Sequence, residues 1–128
     1  MPNIRDLFEI EQVKDILILT PRGDVAGFLE LDVHRQVQEI EKRIDSGETR
    51  HLLVDLGNSR YFGTVVIGIL NSLARHVREC GGILVLSQVS EDMSQILRVM
   101  KLADTLPQFE TRKTALHYLK KVEVSAIR

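Results

Sequence analysis

Over residues 52–70, LLVDLGNSRYFGTVVIGIL, the hydrophobic period of the chain changes from that of a strand to that of a helix. Leu52, Leu53 and Val54, interrupted by Asp55 and closed by Leu56, make an apolar run of the length a buried strand needs. Gly57, Asn58 and Ser59 are turn residues, and a second apolar block opens at Tyr61 and Phe62, just before Gly63 and Thr64. From there Val66, Ile69, Leu70, Leu73, Ala74 and Val77 recur at the spacing of one helix face. Thr64 therefore stands at a helix start, where unpaired backbone N–H groups and the helix dipole favour an oxygen or an anion. Its hydroxyl can cap the helix, or it can carry a phosphate at the same place.

The rest of the chain supplies partners for this strand and helix. Phe8 and Ile10 alternate with Glu9 and Glu11, a half-buried strand. After a polar corner at residues 12–15 the run Ile16, Leu17, Ile18, Leu19 follows, so the two read as a hairpin, broken by residues 20–24. From Phe28, Leu29, Val33, Val37, Ile40 and Ile44 step along an amphipathic helix, ended by Ser46, Gly47 and Glu48. Gly81 and Gly82 end the central helix. The run Ile83 to Leu86 has four consecutive apolar residues, the mark of a strand covered on both faces. Ser90 caps a helix with Glu91 and Asp92 in its first turn and a stripe of Met93, Ile96, Leu97 and Met100, whose methionines read as core filler. Pro107 precedes a short strand at residues 108–110, and Thr111 begins a last helix with Ala115, Leu116, Leu119 and Val122 inward. The order β β α β α β α β α predicts one α/β domain over residues 1–128, with its core at about 8–120. Its mixed, mostly parallel sheet of about five strands is flanked by about four helices.

Composition narrows the function. The chain has 128 residues, 44% of them hydrophobic, enough for one substantial core. Its 17 basic and 18 acidic side chains form no long block of one sign, so no nucleic-acid footprint is present and a protein partner is expected. No signal pattern, no apolar run of membrane-spanning length and a single cysteine predict a cytoplasmic protein without direct membrane insertion. Cys80, three residues after Val77, is expected on the apolar stripe as a buried structural thiol. His34, His51, His76 and His117 show no ligand spacing with one another or with Cys80, so neither a metal nor a cofactor is expected. No phosphate-binding glycine loop and no nucleophile elbow occur, which argues against an enzyme. Asp55 lies at a strand end, where α/β proteins often keep functional groups. It reads either as a hydrogen-bonded turn closer or, with Ser59 and Thr64, as part of a small nucleotide-binding protein or enzyme.

With the elements placed, the chain resembles the STAS domain family, whose best-known members are bacterial anti-sigma factor antagonists. The resemblance runs from Asp55-Leu56 through Tyr61-Phe62 to Gly63-Thr64-Val65-Val66-Ile67-Gly68 and on to Gly81-Gly82-Ile83. It continues through Val89-Ser90, the segment Leu97 to Asp104, and Ala115-Leu116. In such antagonists the residue at the helix start is phosphorylated by a partner kinase that doubles as an anti-sigma factor, and the unmodified form binds that partner. The resemblance thus implies Thr64 as phosphoacceptor, with Asp24, Ser59, Tyr61, Phe62, Gly63, Val65, Ile67 and Gly68 around it as the docking surface. The family's motif Asp-Ser-Ser-Gly is altered, with Gly63 where an Asp usually precedes the acceptor, then Val65 and Val66, and Ala26 where an acidic corner residue is usual.

These replacements make the junction apolar. On a helix whose inward stripe is centred near Val66 and Leu73, Val65 and Ile67 fall about 100° to either side, and Gly68 nearly opposite. An exposed apolar patch is therefore expected at this helix end, for docking an anti-sigma factor, serine kinase or related regulatory complex, or for a homodimer. A phosphate at residue 64 would set a charge of roughly −1.5 to −2 beside the patch and disfavour docking. The rival expectation is a scaffold or oligomerising STAS domain of a signalling or transporter complex, without phosphorylation.

Overall fold

The computed structural model describes residues 8–22, 30–57 and 64–122, with residues 30–32, 64 and 65 described by their backbone. The elements follow the predicted order: β1 (Phe8–Val13), β2 (Ile16–Pro21), α1 (Glu30–Asp45), β3 (His51–Asp55), α2 (Thr64–Glu79), β4 (Leu84–Ser87), α3 (Glu91–Val99), β5 (Gln108–Phe109) and α4 (Arg112–Lys121). The sheet runs β1-β2-β3-β4-β5, with β1 antiparallel to β2 and every later pair parallel. A two-residue turn at Lys14 and Asp15 closes the hairpin. The second strand extends to Pro21, further than the turn signals of residues 20–24 suggest. Its parallel pairing ends at Leu19↔Val54, so no ladder bond to β3 is asked of the proline nitrogen.

Side-chain alternation divides the core between the sheet's two faces. Leu17, Leu19, Leu52, Val54, Leu84 and Leu86 face α1, α2 and α3, joining Ile40, Ile44, Leu70, Leu73, Met93 and Leu97. Ile16, Ile18, Leu53 and Val85 face α4, which covers them with Ala115 and Leu119. Burial on both faces is why these strands read as continuous apolar runs rather than alternating ones. The α1 helix is fastened to the sheet edge by a buried amide: Gln36 accepts from the Phe8 N–H at 2.8 Å and donates to the Phe8 carbonyl at 2.8 Å. Two edge groups of β1 are satisfied in this way.

The central helix ends abruptly. Cys80 still donates to the His76 carbonyl at 3.2 Å, then Gly81 turns left-handed at φ 91° and Gly82 donates to the Val77 carbonyl at 2.8 Å, a Schellman closure. A Cβ on Gly82 would overlap the Arg50 carbonyl oxygen, so glycine is required there by close approach. This geometry corrects the expectation for Cys80, which is exposed and not buried on the stripe. The stripe stops at Val77 because the helix stops, and the cap residue swings clear of the core. Met100 is likewise 42% exposed and not core filler, since α3 ends at Val99 and the chain turns left-handed at Lys101.

Candidate functional site

The C-terminal edge of the parallel strands leads directly to the start of α2. There Asp55, 5% exposed, ends β3 and is held on both carboxylate oxygens. Oδ1 accepts from the Gly57 N–H at 3.0 Å and from Gln88 Nε2 at 2.9 Å, while Oδ2 accepts from Arg112 Nε at 2.7 Å. Arg112 also reaches Thr20 Oγ1 at 3.3 Å and Glu11 at 3.5 Å. One guanidinium thus ties β1, β2 and β3 to the start of α4. Asp55 closes a turn and anchors a clamp, the first of its two sequence readings. Its partner escaped notice because Arg112 lies 57 positions away, and only the α4 crossover brings the two together.

The α2 helix begins on Thr64 itself, so the site read from sequence falls where a helix start exists. No acidic side chain lies in its first turn. The starts of α3 and α4 are occupied by their own side chains. Ser90 accepts from the Met93 N–H at 3.2 Å with Glu91 and Asp92 beside it, and Thr111 and Thr114 form a reciprocal capping box.

The expected docking residues divide. Gly68 is exposed, and a Cβ there would meet open space. Ile67 corrects the expectation: it is 2% exposed and belongs to the core with Val66, so it lines no docking surface. The buried face of α2 is centred between Val66 and Ile67 because α2 packs against α1 as well as against β3 and β4. Ile69, on the other side, is only partly buried. Backbone alone is described for Val65, and Asp24, Ser59, Tyr61, Phe62 and Gly63, with the corner at Gly23 and Ala26, lie outside the described residues.

The opposite end of α2 holds a grouping absent from the sequence reading. His76 Nε2 lies 2.7 Å from Asp45 Oδ1, and Cys80 Sγ donates to the same oxygen at 3.8 Å. Partial desolvation of the sulfur, then the Asp45 carboxylate, push the Cys80 thiol pKa up, which keeps it protonated and poorly nucleophilic at neutral pH. The signal was in the sequence: positions 76 and 80 are four apart on one helix face. Asp45 could not be assigned to them, being 31 residues away on α1.

His51 opens β3 at the same edge, 2% exposed, and its Nδ1 accepts from the Ile83 N–H at 3.1 Å. Burial first and the Arg50 charge second lower its pKa, against a smaller opposing effect of Asp15, so it is a neutral structural residue near pH 7. Among the described residues no helix is long and apolar enough to cross a membrane.

Comparison with known proteins places this geometry. No curated protein matches the sequence. Among solved structures, the fold is similar to a STAS-domain anti-sigma factor antagonist protein from Planctomyces limnophilus. That match has 20% identity and TM-score 0.72, covering 89% of this chain and 98% of that one. It is also similar to the Bacillus anti-sigma factor antagonist SpoIIAA in its unphosphorylated form, at 13% identity and TM-score 0.74, covering 90% and 97% of the two chains. An anti-sigma factor antagonist from Mycobacterium paratuberculosis aligns at 14% identity and TM-score 0.67, covering 94% of this chain and 100% of that one. The sequence model of the STAS domain matches residues 8–115, nearly the whole described chain, and on that match this protein belongs to the STAS domain family.

Proposed function

We propose that this chain is a cytoplasmic protein-interaction module of the anti-sigma factor antagonist type, docking a regulatory protein partner at the start of α2 and released by phosphorylation of Thr64. The observation that carries this reading is the placement of Thr64 as the first helical residue of a helix without acidic side chains in its first turn. The N–H groups of a helix's first turn favour a phosphate, and no acidic residue lies in the first turn of α2 to repel it. SpoIIAA, a structural relative, exists in unphosphorylated and phosphorylated forms, which supports a two-state reading of this chain.

The docking surface in this proposal is centred on Thr64 and the exposed, side-chain-free position Gly68, and it excludes Ile67. A glycine on the outer face lets a partner backbone approach closely. A phosphate of roughly −1.5 to −2 charge would have to be desolvated when the partner closes over it, which weakens docking. Asp55, bound through both oxygens, acts as the foundation of the site and not as a base.

Incubation with ATP and the anti-sigma kinase of the same organism, read by mass spectrometry, tests the switch. One phosphate mapped to Thr64, and none in Thr64→Ala, is the expected result. An unmodified chain that still binds the kinase, with Thr64→Glu binding equally well, would leave a scaffold without a phosphoswitch.

A further inference from the structure

We propose that Asp45, His76 and Cys80 form a zinc-binding site where the C-terminal ends of α1 and α2 meet. Each offers one ligand atom, and the three atoms lie within 4.8 Å of one another. The donor set of carboxylate oxygen, imidazole nitrogen and thiolate sulfur suits zinc over calcium or magnesium, which take oxygen.

The geometry is near that of a loaded site. Bonds of about 2.1 Å to oxygen and 2.3 Å to sulfur at tetrahedral angles put those two ligand atoms roughly 3.6 Å apart. The Cys80 Sγ to Asp45 Oδ1 distance is 3.8 Å. By the same construction oxygen and nitrogen ligands stand roughly 3.4 Å apart. The 2.7 Å hydrogen bond between Asp45 Oδ1 and His76 Nε2 therefore opens slightly as both atoms turn to the ion. Behind the imidazole, Glu41 Oε2 lies 4.0 Å from Nδ1, too far for a hydrogen bond but close enough that a small side-chain shift on metal binding would let it accept the Nδ1 proton and leave Nε2 to ligate. Asp45 and Cys80 are exposed and His76 is half-buried, so solvent can reach the ion and supply water as the fourth ligand.

The backbone favours the same charge. α1 ends on Asp45 and α2 on Glu79, so two negative helix-dipole ends converge on the cluster. The Schellman turn at Gly81 and Gly82 fixes Cys80 one turn beyond His76. A bound ion would join α1 to α2 by ligands from both.

The full-length chain, free of any histidine tag, is titrated with Co²⁺ as a spectroscopic stand-in and then with Zn²⁺ by calorimetry. Expected are one Co²⁺ per chain with a near-ultraviolet thiolate-to-cobalt charge-transfer band, and displacement by one equivalent of Zn²⁺. Cys80→Ser removes the band, Cys80→Ser and His76→Ala each weaken Zn²⁺ binding by at least about tenfold, and Glu41→Gln weakens it less than either. Bound Co²⁺ without a thiolate band, no stoichiometric binding, or Zn²⁺ affinity unchanged in Cys80→Ser and His76→Ala overturns the proposal. The first two outcomes need no variant, so they decide the matter even if a substitution disturbs folding.

Discussion

The two ends of α2 present opposite chemistry. At its N-terminal end the helix opens on Thr64 with no acid in the first turn, while at its C-terminal end Asp45, Glu41 and the thiol of Cys80 gather around His76. The first arrangement suits an incoming anion and the second a cation, each matching the sign of the helix dipole at that end. The ends also differ in how they are fixed. The C-terminal end is locked by the left-handed turn at Gly81 and by Gly82 packed on the Arg50 backbone, whereas the strand that precedes the N-terminal end in sequence is held by the Asp55–Arg112 clamp. A helix fixed at one end can keep its fold while the other end gains or loses a charge.

The sharpest way to break the contrast is at the locked end. Gly82→Ala forces a Cβ into the Arg50 carbonyl oxygen, and neither backbone can yield cheaply. A loss of about 3 kcal/mol or more in urea unfolding is expected, in the range of overpacking and backbone-strain mutations. A variant as stable as the parent would mean that this end is not locked.

Arg112→Ala removes the foundation of the open end, leaving Asp55 with Gln88 and the Gly57 N–H alone. Breaking a buried pair leaves a charge uncompensated, and because Arg112 is 37% exposed the expected loss is about 2–3 kcal/mol, below the fully buried range. Arg112→Lys should recover only part of this, since a single ammonium cannot reach Asp55, Thr20 and Glu11 together.

Acid should expose the closed edge through His51. Its native pKa is lowered by burial and by Arg50, so below the ordinary value of 6.5 the unfolded chain takes up a proton that the native state refuses. The stability is complete above about pH 6.5 and declines as pH falls toward the native value, by at most about 1.4 kcal/mol per pH unit for one proton. In a series of unfolding curves, His51→Gln should flatten this part of the profile.

Gly68→Ala has the smallest effect on folding and a diagnostic effect on binding. A Cβ there meets nothing, and alanine in an exposed helix interior should stabilise by about 0.5–1 kcal/mol. If the outer face of the first two turns docks the partner, the same methyl weakens binding while the melting temperature rises.

Most of the fold was legible because it follows from local period. The change at residues 52–70, the alternation at Phe8 to Glu11 and the four-residue apolar run before Ser87 each name an element without tertiary knowledge. What escaped was set by neighbours distant in sequence. Ile67 is buried because α1 broadens the inward face of α2, which no single-helix stripe reveals. Cys80 was misplaced by one residue's worth of geometry, as the stripe was continued past a helix end that the glycines following it already marked. The Asp55–Arg112 and Asp45–His76 pairs join elements through crossovers, so spacing along the chain carries no trace of them.

In the proposed switch, the open end of α2 is a docking surface governed by charge at residue 64. Its most direct test is titration calorimetry of the anti-sigma kinase against the unmodified chain and against the same chain phosphorylated at Thr64. The predicted result is saturable binding of the unmodified form and at least tenfold weaker binding of the phosphorylated form, a difference of about 1.4 kcal/mol. Equal affinities for the two forms would contradict it.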